Sequence, residues 1–167
     1  MKIGYFGDGQ WAHKAFEILE KDETIEIAFV MVRYDKRDSV LMDMARTRNI
    51  PVELCENVNS ADFARRVKLY NVDLFVSMSF DQIFKKELIE LPPFGTINCH
   101  AGKLPFYRGR NILNWALIND EKEFGITVHY MDEGIDTGDI ILQKVYPITV
   151  HCWKKLMKSV QQFYMKR

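Results

Sequence analysis

The sequence has no surplus of charge of either sign: 23 Lys and Arg stand against 23 Asp and Glu over 167 residues. That balance supplies no global field to attract nucleic acid or an anionic membrane. Cysteine is scarce. Cys55, Cys99 and Cys152 are odd in number and lack the paired spacing of a metal site, the pattern of reduced thiols in a cytoplasm. No apolar run approaches the length of a membrane span, and the opening MKIGYFGDG has no signal-peptide core. What is present, 47% hydrophobic and 28% charged residues, is the make-up of one globular domain with a proper core.

The chain begins with a short apolar strand at 2–6 that runs into Gly7-Asp8-Gly9-Gln10-Trp11-Ala12. A helical pattern follows, with Ala15, Phe16, Ile18 and Leu19 on one side. Strand, glycine turn and helix are the layout of a doubly wound α/β sheet, where amides at a helix start attract anions. The turn also fits the permissive dinucleotide spelling G-x-G-x-x-A, and by itself that match is weak. A second strand at 25–32 ends in Arg33-Tyr34-Asp35-Lys36 at the rim. Helices are expected at 39–48, 61–70 and 85–90, with a short strand at 52–54 and Met42 and Met44 in or near the core. The strand at 74–77 opens into small polar residues and then Phe80, a candidate aromatic wall for a flat heterocycle; Phe80 and Phe84 serve equally well as core plugs.

Residues 95–114, GTINCHAGKLPFYRGRNILN, organise the rest. Asn98 and His100 lie two apart at the end of an apolar rise, so in a strand their side chains share a face. Lys103, Arg108 and Arg110 follow, among Gly102, Pro105 and Gly109. An amide and an imidazole beside such a loop suit an oxyanion and a phosphate. A buried Asn and His capping a strand end is the competing reading. A helix at 112–118 is expected to carry Trp115 inward, and strands are expected at 124–131 and 140–145. His129 reads as a packed or edge histidine. Asp132, Glu133, Asp136 and Asp139 have no His or Cys ligand beside them in sequence, so no metal is called for. One of these carboxylates brought to His100 would orient the ring or relay a proton.

The run Asn98-x-His100, Leu104-Pro105, Arg108-Gly109, Gly125-Ile126-Thr127-Val128-His129 and Asp136-Thr137-Gly138-Asp139-Ile140-Ile141 resembles the folate-dependent formyltransferases over about residues 1–148. The resemblance implies a Rossmann-like, mostly parallel twisted sheet with helices on both faces. It also implies catalytic Asn98, His100 and Asp136, with 10-formyltetrahydrofolate as donor. The pterin would lie against Ser77, Met78, Ser79, Phe80, Asp81, Gln82 and Ile83, with Met131, Asp132, Gly134 and Ile135 closing the other side. The site would sit beyond the C-terminal ends of the strands at 2–6, 72–77 and 96–100.

Within that family, Lys103-Leu104-Pro105-Phe106-Tyr107-Arg108 and the opening Gly7-Asp8-Gly9-Gln10-Trp11 are most similar to the nucleotide-sugar enzymes. Those formylate dTDP-linked amino-dideoxy sugars, such as dTDP-4-amino-4,6-dideoxyglucose, for bacterial O-antigen and other surface polysaccharides. The nucleotide would then meet Gly9, Trp11, Arg33, Lys103, Phe106, Tyr107, Arg108, Gly109, Arg110 and Asn111. Methionyl-tRNA and glycinamide ribonucleotide are alternative acceptors. A nicotinamide oxidoreductase, resting on Gly7, Gly9, Ala12 and Asp35, or an inactive nucleotide-binding remnant are the rivals.

The formyltransferase domain is expected to occupy 1–149, and 150–167 to be an atypical tail. Relatives continue after Thr149 with an acidic turn, a helix and dimer-forming residues, whereas here the stretch from Cys152 to Arg167 is basic. Read one base earlier, the codons of Cys152-Trp153-Lys154 give Leu-Glu after a variable residue, and those that follow permit an acidic amphipathic helix. A frameshift near Thr149 is the expectation.

Overall fold

The computed structural model describes residues 1–149, and the proposed out-of-frame tail lies outside them. Seven strands form one sheet in the order β3-β2-β1-β4-β5-β6-β7. They are β1 (Lys2–Gly7), β2 (Glu26–Met31), β3 (Val52–Glu53), β4 (Leu74–Met78), β5 (Thr96–His100), β6 (Glu123–Tyr130) and β7 (Ile140–Pro147). The first five run parallel; β6 pairs antiparallel with β5, and β7 antiparallel with β6. The expected mostly parallel α/β sheet is therefore what forms.

Strand alternation splits the core in two. Phe6, Phe29, Met31 and Phe75 face one way, onto Phe63 and Val67 of α3 (Ala61–Lys68) and Leu88 and Ile89 of α4 (Lys86–Ile89). Ile3, Tyr5, Ile27 and Val30 face the other, onto Ala12 and Phe16 of α1 (Gly9–Leu19) and Leu41, Met42 and Ala45 of α2 (Ser39–Arg46). Gly4 has no room for a side chain, because the Phe29 and Phe75 rings already fill the space a Cβ would take. Phe84 is core, 2% exposed, while Phe80 sits at the edge of the same cluster against Phe6.

Two helix starts are capped by side chains. Asp38 accepts from Leu41 N at 3.0 Å to open α2, and Ser60 accepts from Phe63 N at 3.2 Å to open α3. In α5 (Ile112–Ile118) the buried residues are Ile112, Ala116 and Leu117. Trp115 lies on the flank of that stripe and is 54% exposed, so it does not point inward as the sequence predicts.

The chain direction puts the carboxyl ends of β1, β4 and β5 at one edge. The sheet order reverses there, with β2 on one side of β1 and β4 on the other. In doubly wound sheets that crevice receives ligands.

Candidate active site

A cleft of about 920 Å³ opens at this edge. Asn98 and His100 enter it from β5, and the loop after β6 brings Asp136 across. The backbone of Asp136 is left-handed (φ 52°), a conformation Asp tolerates better than most residues. Its carboxylate accepts from Gly109 N at 2.8 Å, and Oδ2 lies 3.5 Å from His100 Nδ1. The other His100 nitrogen, Nε2, is 2.6 Å from the carbonyl of Tyr107. A carbonyl only accepts, so Nε2 carries a proton and Nδ1 faces the carboxylate.

Burial works against ionising Asp136, but the hydrogen bonds from His129 and Gly109 N and the nearby imidazole charge outweigh it. The carboxyl is held below its ordinary range. His129 completes the group. It is 1% exposed, and its Nε2 is 3.4 Å from both Asp136 Oδ1 and Asn98 Nδ2. Sequence reading treats His129 as packing. Its place here depends on the pairing of Asn98 with His129 across β5 and β6, which residue spacing does not reveal.

One wall is the loop after β4. Ser79 is left-handed (φ 58°), so the chain turns sharply to present Phe80, Asp81, Gln82 and Ile83. The loop is tied from behind: Asn59 donates to the Ile83 carbonyl at 2.9 Å and accepts from Lys85 N at 2.7 Å. Gln82 accepts from Val58 N at 3.0 Å. Arg110 donates to the Asp81 carbonyl at 2.7 Å. Asp81 Oδ1 is buried and meets no hydrogen-bond donor among the described residues. Met131, Asp132, Gly134 and Ile135 line the opposite wall. Cys99 also borders the cleft, and burial pushes its thiol up, which keeps it protonated at neutral pH.

Arg33 stands at the rim between three carboxylates: Asp35 at 2.8 Å, Asp81 at 3.3 Å and Asp8 at 3.5 Å. The hydrogen bonds it donates to Asp35 head the causes that raise its affinity for the proton. At Asp8 burial leads, and the carboxyl is raised despite Arg33.

The glycine turn itself is occupied from within the chain. Asp38 Oδ2 accepts from Gly9 N at 2.7 Å and pairs with His13 Nε2 at 2.7 Å. The amide a dinucleotide phosphate would need is thus bonded to a carboxylate, which removes the main support for the nicotinamide reading.

Of the residues expected at the site, Asn98, His100, Asp136, Ser77, Arg33, Gly109, Arg110 and Asn111 all line the cleft, with both walls just described. Met78 does not; it packs against the α1 side of the sheet. Gly9, Trp11, Lys103, Phe106, Tyr107 and Arg108 do not line it either. Trp11 is 60% and Phe106 83% exposed. Lys103 forms an ion pair with Glu123, and the Tyr107 hydroxyl donates to Glu121 at 2.5 Å. These side chains fasten the loop to the start of β6, and only the Tyr107 carbonyl reaches His100. Among the described residues no group of three or more His, Cys, Asp or Glu is arranged to hold a metal ion, and no helix is long and apolar enough to cross a membrane.

Comparison with known proteins gives the family. The model of the formyl transferase family matches residues 1–164. A methionyl-tRNA formyltransferase of Clostridioides difficile is 40% identical over 151 residues, covering 86% of this chain and 48% of its own length. That of Alkaliphilus oremlandii is 38% identical over 152 residues, 86% of this chain and 49% of its own. The chain thus spans about half the length of the curated relatives it matches. Among solved structures, the phosphoribosylglycinamide formyltransferase of Bacillus halodurans superposes with TM-score 0.80 at 21% identity, covering 97% of this chain and 88% of that one. WlaRD, a sugar 3N-formyl transferase solved with dTDP and 5-N-formyl-THF, superposes with TM-score 0.66 at 24% identity, covering 99% and 61%. With the family model matched along nearly its whole length, the chain belongs to the formyl transferase family.

Proposed function

We propose that this site moves a formyl group from 10-formyltetrahydrofolate to a primary amine. The observation that carries the reading is the convergence of Asn98, His100 and Asp136 in one cleft, with His100 Nδ1 3.5 Å from Asp136. The amine nitrogen attacks the formyl carbon, and negative charge develops on the formyl oxygen. Asn98 donates to that oxygen, and His100 faces it from the same side of β5. The carbon–N10 bond of the folate then breaks. The proton lost by the attacking nitrogen passes to N10, with Asp136 as acceptor on the way. The donor fits the walls: Phe80, Ile83 and Met131 offer apolar surface to a pterin, and the orphaned Asp81 Oδ1 suits its amino group.

For the acceptor we favour a dTDP-linked amino-dideoxy sugar, such as dTDP-4-amino-4,6-dideoxyglucose. The support is the resemblance of the 103–108 loop sequence to the nucleotide-sugar enzymes, the zero net charge, and Arg110 as a cation at the cleft for a pyrophosphate. A second reading, methionyl-tRNA, is supported by the relatives at 40 and 38% identity.

The test is release of tetrahydrofolate from 10-formyltetrahydrofolate with a panel of dTDP-amino sugars, methionyl-tRNA and glycinamide ribonucleotide. Formylated amino sugar is the expected product. Turnover with methionyl-tRNA alone moves the acceptor to the second reading. Donor binding without release under any acceptor makes the chain a remnant, and nicotinamide oxidation overturns the proposal.

A further inference from the structure

Residues 107–109 hold both members of the His100–Asp136 pair from one short piece of backbone. The Tyr107 carbonyl accepts from His100 Nε2 at 2.6 Å, and two residues on the Gly109 amide donates to Asp136 at 2.8 Å. Gly109 allows this: its φ is 87°, with open space where a side chain would stand, so conformation and not crowding calls for glycine. The loop is tied at Leu104, whose carbonyl accepts from Gln143 at 2.9 Å, and at Arg110, which donates to the Asp81 carbonyl. Between these ties the phenol of Tyr107 connects the segment to the rest of the fold. It donates to Glu121 at 2.5 Å and accepts from Asn119 Nδ2 at 3.3 Å. Glu121 is itself fixed, since its amide donates to the Ala116 carbonyl at 2.9 Å where α5 ends. Its carboxylate also raises the pKa of the phenol, which keeps its proton, and so its bond, at neutral pH. None of Tyr107, Asn119 and Glu121 lines the cleft.

We propose that Glu121, acting through the Tyr107 phenol, is a positioning residue for the His100–Asp136 pair: it holds segment 107–109 so that one backbone bracket sets the imidazole and the carboxylate at once. The proposal rests on the formyl-transfer reading of the site. A hydrogen bond to a carboxylate is stronger and shorter than one between neutral groups, which suits it to hold an otherwise exposed loop. Without it the stretch between Leu104 and Arg110 gains freedom. The Tyr107 carbonyl and the Gly109 amide then move together, and the imidazole and the carboxylate lose register with Asn98. The walls proposed for the donor, 80–83 and 131–135, are not on this segment, so donor binding is left in place.

The test pairs kinetics with a measurement that needs no turnover. In Tyr107→Phe, which keeps the ring and loses the hydroxyl, kcat should fall about tenfold, part of the roughly 10²-fold that a 1 Å displacement can cost, with the KM for 10-formyltetrahydrofolate within about twofold of wild type. Glu121→Ala should match it, and the two changes together should be no worse than either alone. Glu121→Gln still accepts from the phenol and should recover most of the rate. A wild-type kcat in Tyr107→Phe, or losses that multiply in the double variant, overturns the proposal. Independently, amide hydrogen exchange of the ligand-free chain at neutral pH, read by NMR, should show Gly109 losing protection in Tyr107→Phe and Glu121→Ala and keeping it in Glu121→Gln. The Val30 and Phe75 amides, bonded to the Pro51 and Gly95 carbonyls, should stay as protected as in wild type and so report an intact sheet. Gly109 protection that is the same in every variant refutes the bracket even if the chain turns over no acceptor, so failure here and failure of the activity reading are separable.

Discussion

At Gly102 a single hydrogen stands where any other residue would drive a carbon into His100 Nε2 and the Tyr107 carbonyl, the two partners of the bond that fixes the imidazole. Gly102→Ala should therefore push the ring off Asp136 while leaving the sheet intact. A displacement of about 1 Å at a reacting group can cost about 10²-fold in rate, so kcat should drop by that order with little change in donor KM. Steady-state kinetics on a variant of unchanged circular dichroism checks it. None of this is visible in the residue order: Gly102 reads as one more loop glycine, because its constraint comes from a ring two positions back and a carbonyl five positions on. Asn98, His100 and Asp136 were legible, since the chemistry of an amide and an imidazole at strand spacing is local and the resemblance supplied the carboxylate. His129 was not, since its role exists only once β6 pairs with β5.

Two loops act at the level of elements. Asn59 uses both ends of its carboxamide to hold residues 83–85, the back of the proposed pterin wall, while its own segment stays outside the cleft. Asn59→Ala should raise the KM for 10-formyltetrahydrofolate about tenfold, the worth of one or two lost hydrogen bonds, and leave acceptor KM and kcat near wild type. An equal loss in kcat would show that the loop orders the reacting atoms as well.

Asp38 fastens the starts of α1 and α2 together through Gly9, His13 and Leu41. Burial disfavours its charge, but the Leu41 and Gly9 amides and His13 outweigh that and hold the carboxyl below its ordinary range. A carboxyl lowered on folding stabilises the fold above its unfolded value, about 3.9, and that contribution is lost as pH falls through the folded value. Asp38→Asn should therefore be less stable than wild type in urea at pH 7, a gap that closes below about pH 4. The strands and helices themselves were readable from apolar runs and spacing. Trp115 was misplaced because a helix of seven residues buries a narrow stripe, and bulk does not decide which residues fall on it.

Across the whole molecule, the sheet carries aromatic weight on one face and aliphatic weight on the other, with the cleft at the edge where both layers stop. The mostly parallel sheet with helices on both faces follows from strand–helix alternation and was expected. The turning of Lys103 and Tyr107 away from the cleft was not, because it depends on Glu123 and Glu121, which lie beyond the end of α5. A donor held by β4, β5 and the loop beyond β6 should brace all three at once. At one hundred times its Kd, a non-transferable folate such as 5-formyltetrahydrofolate should add about 2.7 kcal/mol to unfolding. A thermal melt that does not move at saturating folate would contradict the assignment of the walls.

The carboxylate of Asp38 on the glycine turn has a consequence for anyone who would repurpose this scaffold. A doubly wound sheet is a common starting point for new cofactor specificity, yet here the berth at the first helix carries its own built-in counter-ion. The acid already present at Asp35 achieves nothing for a ribose while that counter-ion stays. Vacating position 38 comes first, and it removes the cap of the next helix in the same stroke.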